Sequence, residues 1–474
     1  MLPVKFKERM ERLLGDQSEA LFEAIESGEA VRSFRVNEIK CSVADFEAAD
    51  VKIDKTKAIF PSGAYYTKEQ FPGRLACHHS GMIYMQDPSA MATVHAIEIK
   101  EGARVLDSCS APGGKTTQLA AAVGDRGVVV ANEYETKRCR ILQGNVERMG
   151  CVNTVIVNLD TAVLAEVYAA EFDVVLCDAP CSGEGMFRKN SLAIDEWSEE
   201  NVLMCAERQR EILTNVQKCV AADGYLIYST CTFSLEENEK NVEWFLDNFS
   251  DFELCEVAQG LKDVTSDGIC FDGCSYDMTR TRRFYPHVSA GEGQFIAALR
   301  RKGDVIREGG LVRGPKGKKG GASKPDKDEA AALSAAREFI NENLLPNSFD
   351  EALYELAYLN GSVYIKPRIA LPRFSVFAAG VCAGELAGKR FLPHHQLFSA
   401  YGRYFKRKVL LDGESDKAAQ YLRGLEIAVE GLESFDGKAD GWCAVLIDGC
   451  SVGGGKISGG VCKNHYPKGL RNQQ

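Results

Sequence analysis

The sequence has no run of 18 or more apolar residues, the length that a membrane-spanning helix needs. Its first residues lack the apolar core and cleavage site of a secretory signal peptide. The 17 cysteines are scattered without a disulfide framework, and the close Cys and His pairs do not form the paired CxxC spacing of structural zinc sites. These absences predict a cytoplasmic chain with reduced thiols, no membrane association and no metal.

The chain is long enough for about three domains of typical size. Residues 1 to about 25 predict one amphipathic helix, and strand-like segments follow at 33–37 and 58–60. Between about 80 and 300, strand and helix patterns alternate, which predicts a doubly wound α/β sheet. The predicted strands are Arg104–Asp107, Val128–Ala131, Thr154–Val157, Val174–Leu176, Leu226–Tyr228 and Phe295–Leu299.

A basic, glycine-rich segment separates this α/β region from a smaller C-terminal unit. Residues 300–327 contain ten Lys or Arg against three acids. Such a run is typical of a solvated linker, although it also suits contact with phosphates. We therefore expect four parts: residues 1–80, 81–302, a linker at 303–330, and 331–474. The net charge of −10 excludes a uniformly basic protein but not a local RNA-binding surface.

Two cysteines follow predicted strands in short polar motifs. Cys181 lies in Asp178-Ala179-Pro180-Cys181-Ser182-Gly183, and Cys231 lies in Ser229-Thr230-Cys231-Thr232. The carboxyl ends of neighbouring parallel strands face one cleft, so the two thiols suit a reaction with a sulfur nucleophile and a second group that completes it. The alternative is a pair of buried structural thiols, which their position beside an aspartate disfavours.

A glycine turn follows the first α/β strand, as Cys109-Ser110-Ala111-Pro112-Gly113-Gly114-Lys115. A phosphate-binding Walker A loop would need glycine where Cys109 stands, so that interpretation fails at its first position. Glu133 ends the next strand, where doubly wound folds bind ribose hydroxyls, and Asp160 follows the third strand, placed to meet an adenine edge. Ribose and base contacts without a phosphate loop predict S-adenosylmethionine as the cofactor.

These motifs together resemble the Nop/Sun (RsmB/RsmF-type) family of RNA cytosine-5 methyltransferases. The resemblance rests on Gln86–Ala90, Cys109–Thr116, Asp178–Met186, Ser229–Thr232, Glu236–Glu239, Arg283–His287, Gly291–Gly293 and the tail Lys463–Arg471. Ser110 is a small departure, since the family often has alanine there.

The resemblance implies a Rossmann-like methyltransferase domain at 81–302, a small N-terminal α+β RNA-recognition module at 1–80 and a C-terminal PUA-like RNA-binding region within 331–474. It implies Cys231 as the nucleophile, Cys181 as the residue that assists release, and Asp178 on the Watson–Crick edge of an extruded cytosine. The cofactor would lie against residues 109–115, Glu133, Asp160 and Asp178, with Lys115 close to the reacting groups. The RNA implied is ribosomal, from the small subunit, and we expect a monomer.

Other functions remain open at this stage. A transfer RNA cytosine-5 methyltransferase would carry the same catalytic residues. An amino-methyltransferase needs no thiol, and its usual Asn/Asp-Pro-Pro-aromatic motif is here Asp178-Ala179-Pro180-Cys181. A non-catalytic ribosome-assembly factor has no need of both cysteines. In the tail, His465 and Tyr466 alternate with basic residues, which suits phosphate contact and base stacking.

Overall fold

The computed structural model describes residues 1–49, 51–303, 327–372, 374–429, 432–434 and 437–472. Most of the predicted basic linker at 303–330 lies outside these residues. In the described part of the chain, no helix is long and apolar enough to cross a membrane.

The N-terminal part contains a helix pair and a four-stranded antiparallel sheet in the order β2-β3-β1-β4. Its elements are α1 (Val4–Leu14), α2 (Ser18–Glu26), β1 (Ser33–Val36), α3 (Val43–Ala48), β2 (Thr56–Lys57), β3 (Ala64–Tyr66), α4 (Ala76–His79) and β4 (Ile83–Met85). The prediction of one helix over residues 1–25 is wrong, because Gly15, with φ of +55°, interrupts it. The second predicted strand lies earlier, at β2, and Ile59 is exposed.

The N-terminal sheet is joined to the α/β region through a buried arginine. Arg35 on β1 donates hydrogen bonds to the Gly114 carbonyl (2.9 Å) and to Thr117 Oγ1 (2.7 Å). Its Nε also donates to Gln86 Oε1 at 2.9 Å. The N-terminal part therefore packs directly against the helix that follows the glycine turn.

The central part is a doubly wound sheet whose parallel strands run in the order β9-β8-β5-β6-β7. All six strands predicted from the sequence are present, because their apolar residues are covered by helices on both faces. The elements are α5 (Pro88–Ala92), β5 (Arg104–Asp107), α6 (Gly114–Val123), β6 (Val128–Asn132), α7 (Thr136–Met149), β7 (Thr154–Val157), α8 (Thr161–Val167), β8 (Phe172–Asp178), α9 (Ser191–Asp195), α10 (Glu199–Val216), β9 (Val220–Thr230), α11 (Glu239–Asn248), β10 (Phe252–Cys255), α12 (Gln259–Lys262), β11 (Ser266–Asp267), β12 (Arg282–Phe284) and β13 (Gln294–Arg301).

Two further sheets form the C-terminal region, in the orders β14-β15-β17-β18 and β20-β24-β23-β22-β19-β21. The elements are α13 (Lys327–Asn343), β14 (Tyr354–Leu359), β15 (Ser362–Pro367), β16 (Val376–Ala379), β17 (Val381–Ala387), β18 (Arg390–Pro393), α14 (His395–Tyr401), β19 (Arg407–Leu411), α15 (Asp416–Leu422), β20 (Ile427–Ala428), β21 (Leu432–Ser434), β22 (Gly441–Ile447), β23 (Cys450–Ser458) and β24 (Val461–Asn464).

One strand of the C-terminal region belongs to the central sheet. β16 pairs antiparallel with β7, with Val376 opposite Val157. The Gly380 amide also donates to the Thr154 carbonyl at 2.8 Å. The last strand on this side of the central sheet is thus contributed by residues from beyond the predicted linker.

The tail of the chain contacts the N-terminal part. The Tyr466 hydroxyl lies 2.8 Å from Nδ1 of His79, and Asn472 Oδ1 lies 2.8 Å from Nε2 of the same ring. Tyr466 is buried. The prediction that this ring stacks on RNA bases is therefore wrong, because the aromatic residue packs inside the protein.

Candidate active site

The glycine turn lies between β5 and α6, at the carboxyl edge of the central sheet. Gly113 has φ of +109°, and a Cβ there would lie 3.0 Å from Leu142 Cδ1. At the end of β5, Asp107 is buried and accepts a hydrogen bond from Thr116 Oγ1 at 2.6 Å. Its other oxygen, Oδ1, has no partner among the described residues. Burial raises the pKa of Asp107 to about 7.

Glu133 lies beside this turn, as predicted from the strand pattern. Its carboxylate accepts hydrogen bonds from the amides of Ala111 (3.3 Å) and Glu135 (3.0 Å), and Arg138 lies 3.3 Å away. Asp160, in contrast, is exposed, and its Oδ1 accepts from the Ala162 amide at 2.8 Å to cap α8. In the structure, Glu133 thus contacts the turn, whereas contact between Asp160 and the adenine of the cofactor stays a prediction.

The two motif cysteines are neighbours. β8 and β9 are adjacent and parallel, and their last residues bring the loops that follow to the same edge. Cys181 Sγ and Cys231 Sγ are 3.2 Å apart, and both residues are partly exposed. The hydrogen bond with Cys231 and burial together raise the pKa of Cys181 well above that of a free thiol. Cys181 is therefore held as a neutral thiol beside Cys231.

Asp178 joins the glycine turn to the cysteine loops. Its Oδ2 accepts from Lys115 Nζ at 2.7 Å, and its Oδ1 accepts from Ser229 Oγ at 2.7 Å and Gln294 Nε2 at 3.2 Å. Burial opposes the charge on Lys115, but the attraction and hydrogen bond of Asp178 outweigh it and raise the pKa of Lys115. Asp178 and Lys115 are thus a charged pair with a fixed orientation next to the two thiols.

The polar network behind the cysteine loops was not predicted as part of the site. Glu237, Gln209, Ser182 and Thr232 are buried and hydrogen-bonded to one another. The Gly185 amide also donates to the Cys231 carbonyl at 2.9 Å, and a Cβ on Gly185 would lie 2.9 Å from that oxygen. Glu237 lies in the Glu236–Glu239 segment noted above, but its partners come from distant positions that no local pattern reveals.

A buried ion pair supports the loop after Cys231. The side chains of Arg283 and Glu239 are 2% and 0% exposed, and the guanidinium contacts both carboxylate oxygens. Arg283 Nη1 also donates to the Phe233 carbonyl at 2.8 Å. The position of the backbone just beyond Cys231 therefore depends on this pair.

Among the described residues, no group of three or more His, Cys, Asp and Glu side chains could hold a metal ion. The assembled groups are two thiols, a lysine–aspartate pair and a glycine turn with buried carboxylates. This set suits covalent catalysis by a sulfur nucleophile on a flat, polar substrate, next to a nucleoside-type cofactor.

Three family models match the chain. The model described as "16S rRNA methyltransferase RsmB/F" covers residues 94–300, and the "N-terminal domain of 16S rRNA methyltransferase RsmF" covers 2–88. The "Methyltransferase RsmF PUA domain" covers 408–472, where most of the six-stranded C-terminal sheet lies. These matches confirm the predicted fold class in all three of its parts.

Curated relatives align over most of their length. Ribosomal RNA small subunit methyltransferase F of Vibrio atlanticus is 30% identical over 453 residues, covering 93% of this chain and 91% of the relative. The protein of the same name from Klebsiella pneumoniae is 29% identical over 453 residues, covering 93% and 90%.

Solved structures share the fold. A methyltransferase homolog from Pyrococcus horikoshii has a TM-score of 0.55 and 29% identity, covering 63% of this chain and 94% of its own. NSun6 from the same organism, crystallised with SFG, has a TM-score of 0.53 and 22% identity, covering 64% and 99%.

Proposed function

The chain belongs to the RsmB/F family of 16S ribosomal RNA methyltransferases, and on this premise we propose that it methylates carbon 5 of a cytosine in 16S ribosomal RNA with S-adenosylmethionine. The observation that supports methylation at carbon 5 is the distance of 3.2 Å between the sulfurs of Cys181 and Cys231, beside Asp178. Methylation of an exocyclic nitrogen needs no thiol, whereas carbon 5 is too weak a nucleophile to react unaided. We expect the protein to work as a cytoplasmic monomer.

The residues around the glycine turn fit the proposed cofactor. Oδ1 of buried Asp107, which has no partner in the described part of the chain, can accept from an amino group, and Glu133 can accept from ribose hydroxyls. At Gly113 and Gly114 a Cβ would approach Leu142 and Gln86 to 3.0 and 3.2 Å, so the turn keeps its close packing against these side chains only with glycine. When bound, S-adenosylmethionine supplies a methyl group on a positively charged sulfur.

In the proposed reaction, Cys231 Sγ gives up its proton and forms a bond to carbon 6 of the extruded base, the double bond between carbons 5 and 6 opens, and nitrogen 3 on the Watson–Crick edge takes up a proton. The ring is then an enamine-like nucleophile at carbon 5, which takes the methyl group. Asp178 accepts a hydrogen bond from the protonated Watson–Crick edge of the base. The hydrogen bond from Lys115 fixes the orientation of the Asp178 carboxylate. Cys181, as a thiolate, then takes the proton from carbon 5, the electrons of that bond form the double bond between carbons 5 and 6, and the Cys231 sulfur leaves carbon 6 as a thiolate.

Cys181 assists that release in this scheme. Its hydrogen bond with Cys231 keeps it protonated before the reaction. Once the Cys231 sulfur is bonded to carbon, this hydrogen bond is lost, so Cys181 releases its proton to solvent and the resulting thiolate takes the proton from carbon 5. The hydrogen bond between the two sulfurs thus keeps Cys181 from acting as a base until Cys231 has bonded to the ring, which suits separate roles in one site.

The proposal is tested by identifying the methylated nucleoside. The purified protein is incubated with methyl-labelled S-adenosylmethionine and either naked 16S ribosomal RNA or small subunits, and the RNA is digested for mass spectrometry. We expect the label in 5-methylcytidine. Label in N4-methylcytidine would contradict the proposal, as would label only in a parallel reaction with transfer RNA, and comparison of naked RNA with small subunits shows which of these two the protein uses.

Glu133→Ala should weaken S-adenosylmethionine binding by roughly ten- to a hundredfold, because a buried charged hydrogen bond contributes about 1.5–3 kcal/mol. Calorimetry with the cofactor measures the change, and Glu135→Ala, at an exposed neighbouring position, serves as the control. An unchanged affinity would remove Glu133 from the cofactor site.

A further inference from the structure

Glu237 connects the two cysteine loops. It follows Cys231 in the chain, yet its carboxylate binds the residue directly after Cys181. Glu237 Oε2 accepts from the Ser182 amide at 3.0 Å, and Oε1 accepts from Ser182 Oγ at 2.5 Å. Glu237 is 0% exposed, so water does not compete for these hydrogen bonds.

Two more side chains complete this connection. Gln209 Nε2 on α10 donates to Glu237 Oε2 at 2.8 Å and to the Pro180 carbonyl at 3.0 Å, on the other side of Cys181. Ser182 Oγ also lies 2.9 Å from Thr232 Oγ1, next to Cys231. The residues on both sides of Cys181 are thus held by hydrogen bonds that converge on Glu237.

We propose that Glu237 is a positioning residue that holds the Cys181 loop against the Cys231 loop, so that Cys181 reaches the covalent adduct and releases it. This inference rests on the proposed function, since it assigns Cys181 the release step. Glu237 contacts neither sulfur and acts through Ser182 and the backbone around Cys181. Its loss should therefore impair release more than attack by Cys231.

The charges near Glu237 fit this role. Burial raises the pKa of Glu237 to about 7, with Glu184 adding like-charge repulsion. The Tyr228 hydroxyl donates to the backbone carbonyl of Glu237 at 2.6 Å. It therefore does not compete with Ser182 and Gln209 for the Glu237 carboxylate. The carboxylate also contributes to the raised pKa of Cys181, which is consistent with a neutral thiol there.

Glutamine at position 237 separates hydrogen bonding from charge. Its amide oxygen can accept from the Ser182 amide and Gln209, while its amide nitrogen donates to Ser182 Oγ. Ser182 can then donate to Thr232, since either hydroxyl of that pair can be the donor. Glu237→Gln therefore keeps the connection between the loops, whereas Glu237→Ala removes it.

The experiment compares adduct and product in the full-length variants. With 16S ribosomal RNA and S-adenosylmethionine, denaturing gels measure the covalent protein–RNA adduct and nucleoside analysis measures product. We expect Glu237→Ala to form the adduct but release it roughly ten- to a hundredfold more slowly, the scale of one or two lost buried hydrogen bonds. Glu237→Gln should release it at close to the wild-type rate, and cofactor affinity should stay unchanged in both variants.

Glu207→Ala, at an exposed position of α10, is the control and should behave like wild type. If Glu237→Ala unfolds, Ser182→Ala removes the two hydroxyl hydrogen bonds to Glu237 and Thr232 but keeps that of the Ser182 amide, and it should slow release by a smaller factor. Wild-type release in Glu237→Ala or Ser182→Ala, or equal impairment in the Gln and Ala variants, would overturn the inference. Absence of 5-methylcytidine with the wild-type protein would instead overturn the proposed function.

Discussion

Replacing Cys231 with alanine is expected to abolish both methylation and covalent capture of RNA. The sulfur that bonds to carbon 6 is lost, and we do not expect Cys181 to substitute, because the hydrogen bonds of Ser182 and Gln209 fix its loop in the position that serves release. Loss of a catalytic nucleophile lowers turnover by roughly 10⁴- to 10⁶-fold. Single-turnover methylation of 16S ribosomal RNA measures the effect.

Cys181→Ala provides the matched comparison, since it leaves Cys231 free to attack. We expect this variant to accumulate a protein–RNA adduct on a denaturing gel, with little free methylated RNA. Cys270→Ala removes an exposed thiol and should leave both measurements unchanged. An adduct with Cys231→Ala, and none with Cys181→Ala, would reverse the two roles.

Arg283→Met should lower the free energy of unfolding by about 3–5 kcal/mol, the cost of leaving one member of a buried ion pair without its partner. Glu239 would then keep only its contact with the Ile269 amide, 2.9 Å away. Denaturant unfolding measures the change. Arg300→Met is the control, because Arg300 and Asp223 form an ion pair at 42% and 41% exposure that should contribute only about 0–1 kcal/mol.

The double variant Arg283→Met with Glu239→Met tests the cause of this loss. Removing both charges should recover part of the stability, because no buried charge is then left without a partner. Equal stability of Arg283→Met and wild type would show that the pair contributes nothing. A double variant less stable than Arg283→Met would mean that Glu239 stabilises the fold through Ile269 alone.

The sequence was sufficient to predict the central sheet and the groups at its carboxyl edge. Six apolar runs predicted six strands, and residues that directly follow parallel strands converge in space whatever their separation in the chain. From the sequence alone, this rule places Glu133, Asp178, Cys181 and Cys231 at one edge of the sheet, where the structure has them.

The supporting side chains could not be predicted in the same way. Glu237 and Gln294 reach the site through hydrogen bonds across distant segments, and a local pattern holds no information about such partners. For Tyr466, the local sequence pattern suggested a role that the position of the residue in the fold does not allow. An aromatic residue among basic ones suits base stacking, but the packing of this ring against His79 depends on the tertiary fold alone.

The pairing of β16 with β7 has a consequence for the protein while it is being synthesised. The ribosome synthesises Val157 of β7 long before Val376 of β16. The edge of β7 that pairs with β16 therefore has no partner during much of translation. An unpaired, apolar strand edge is a template for aggregation. A nascent chain that stops before β16 thus leaves the apolar edge of β7 without a partner, and synthesis of β16 covers it.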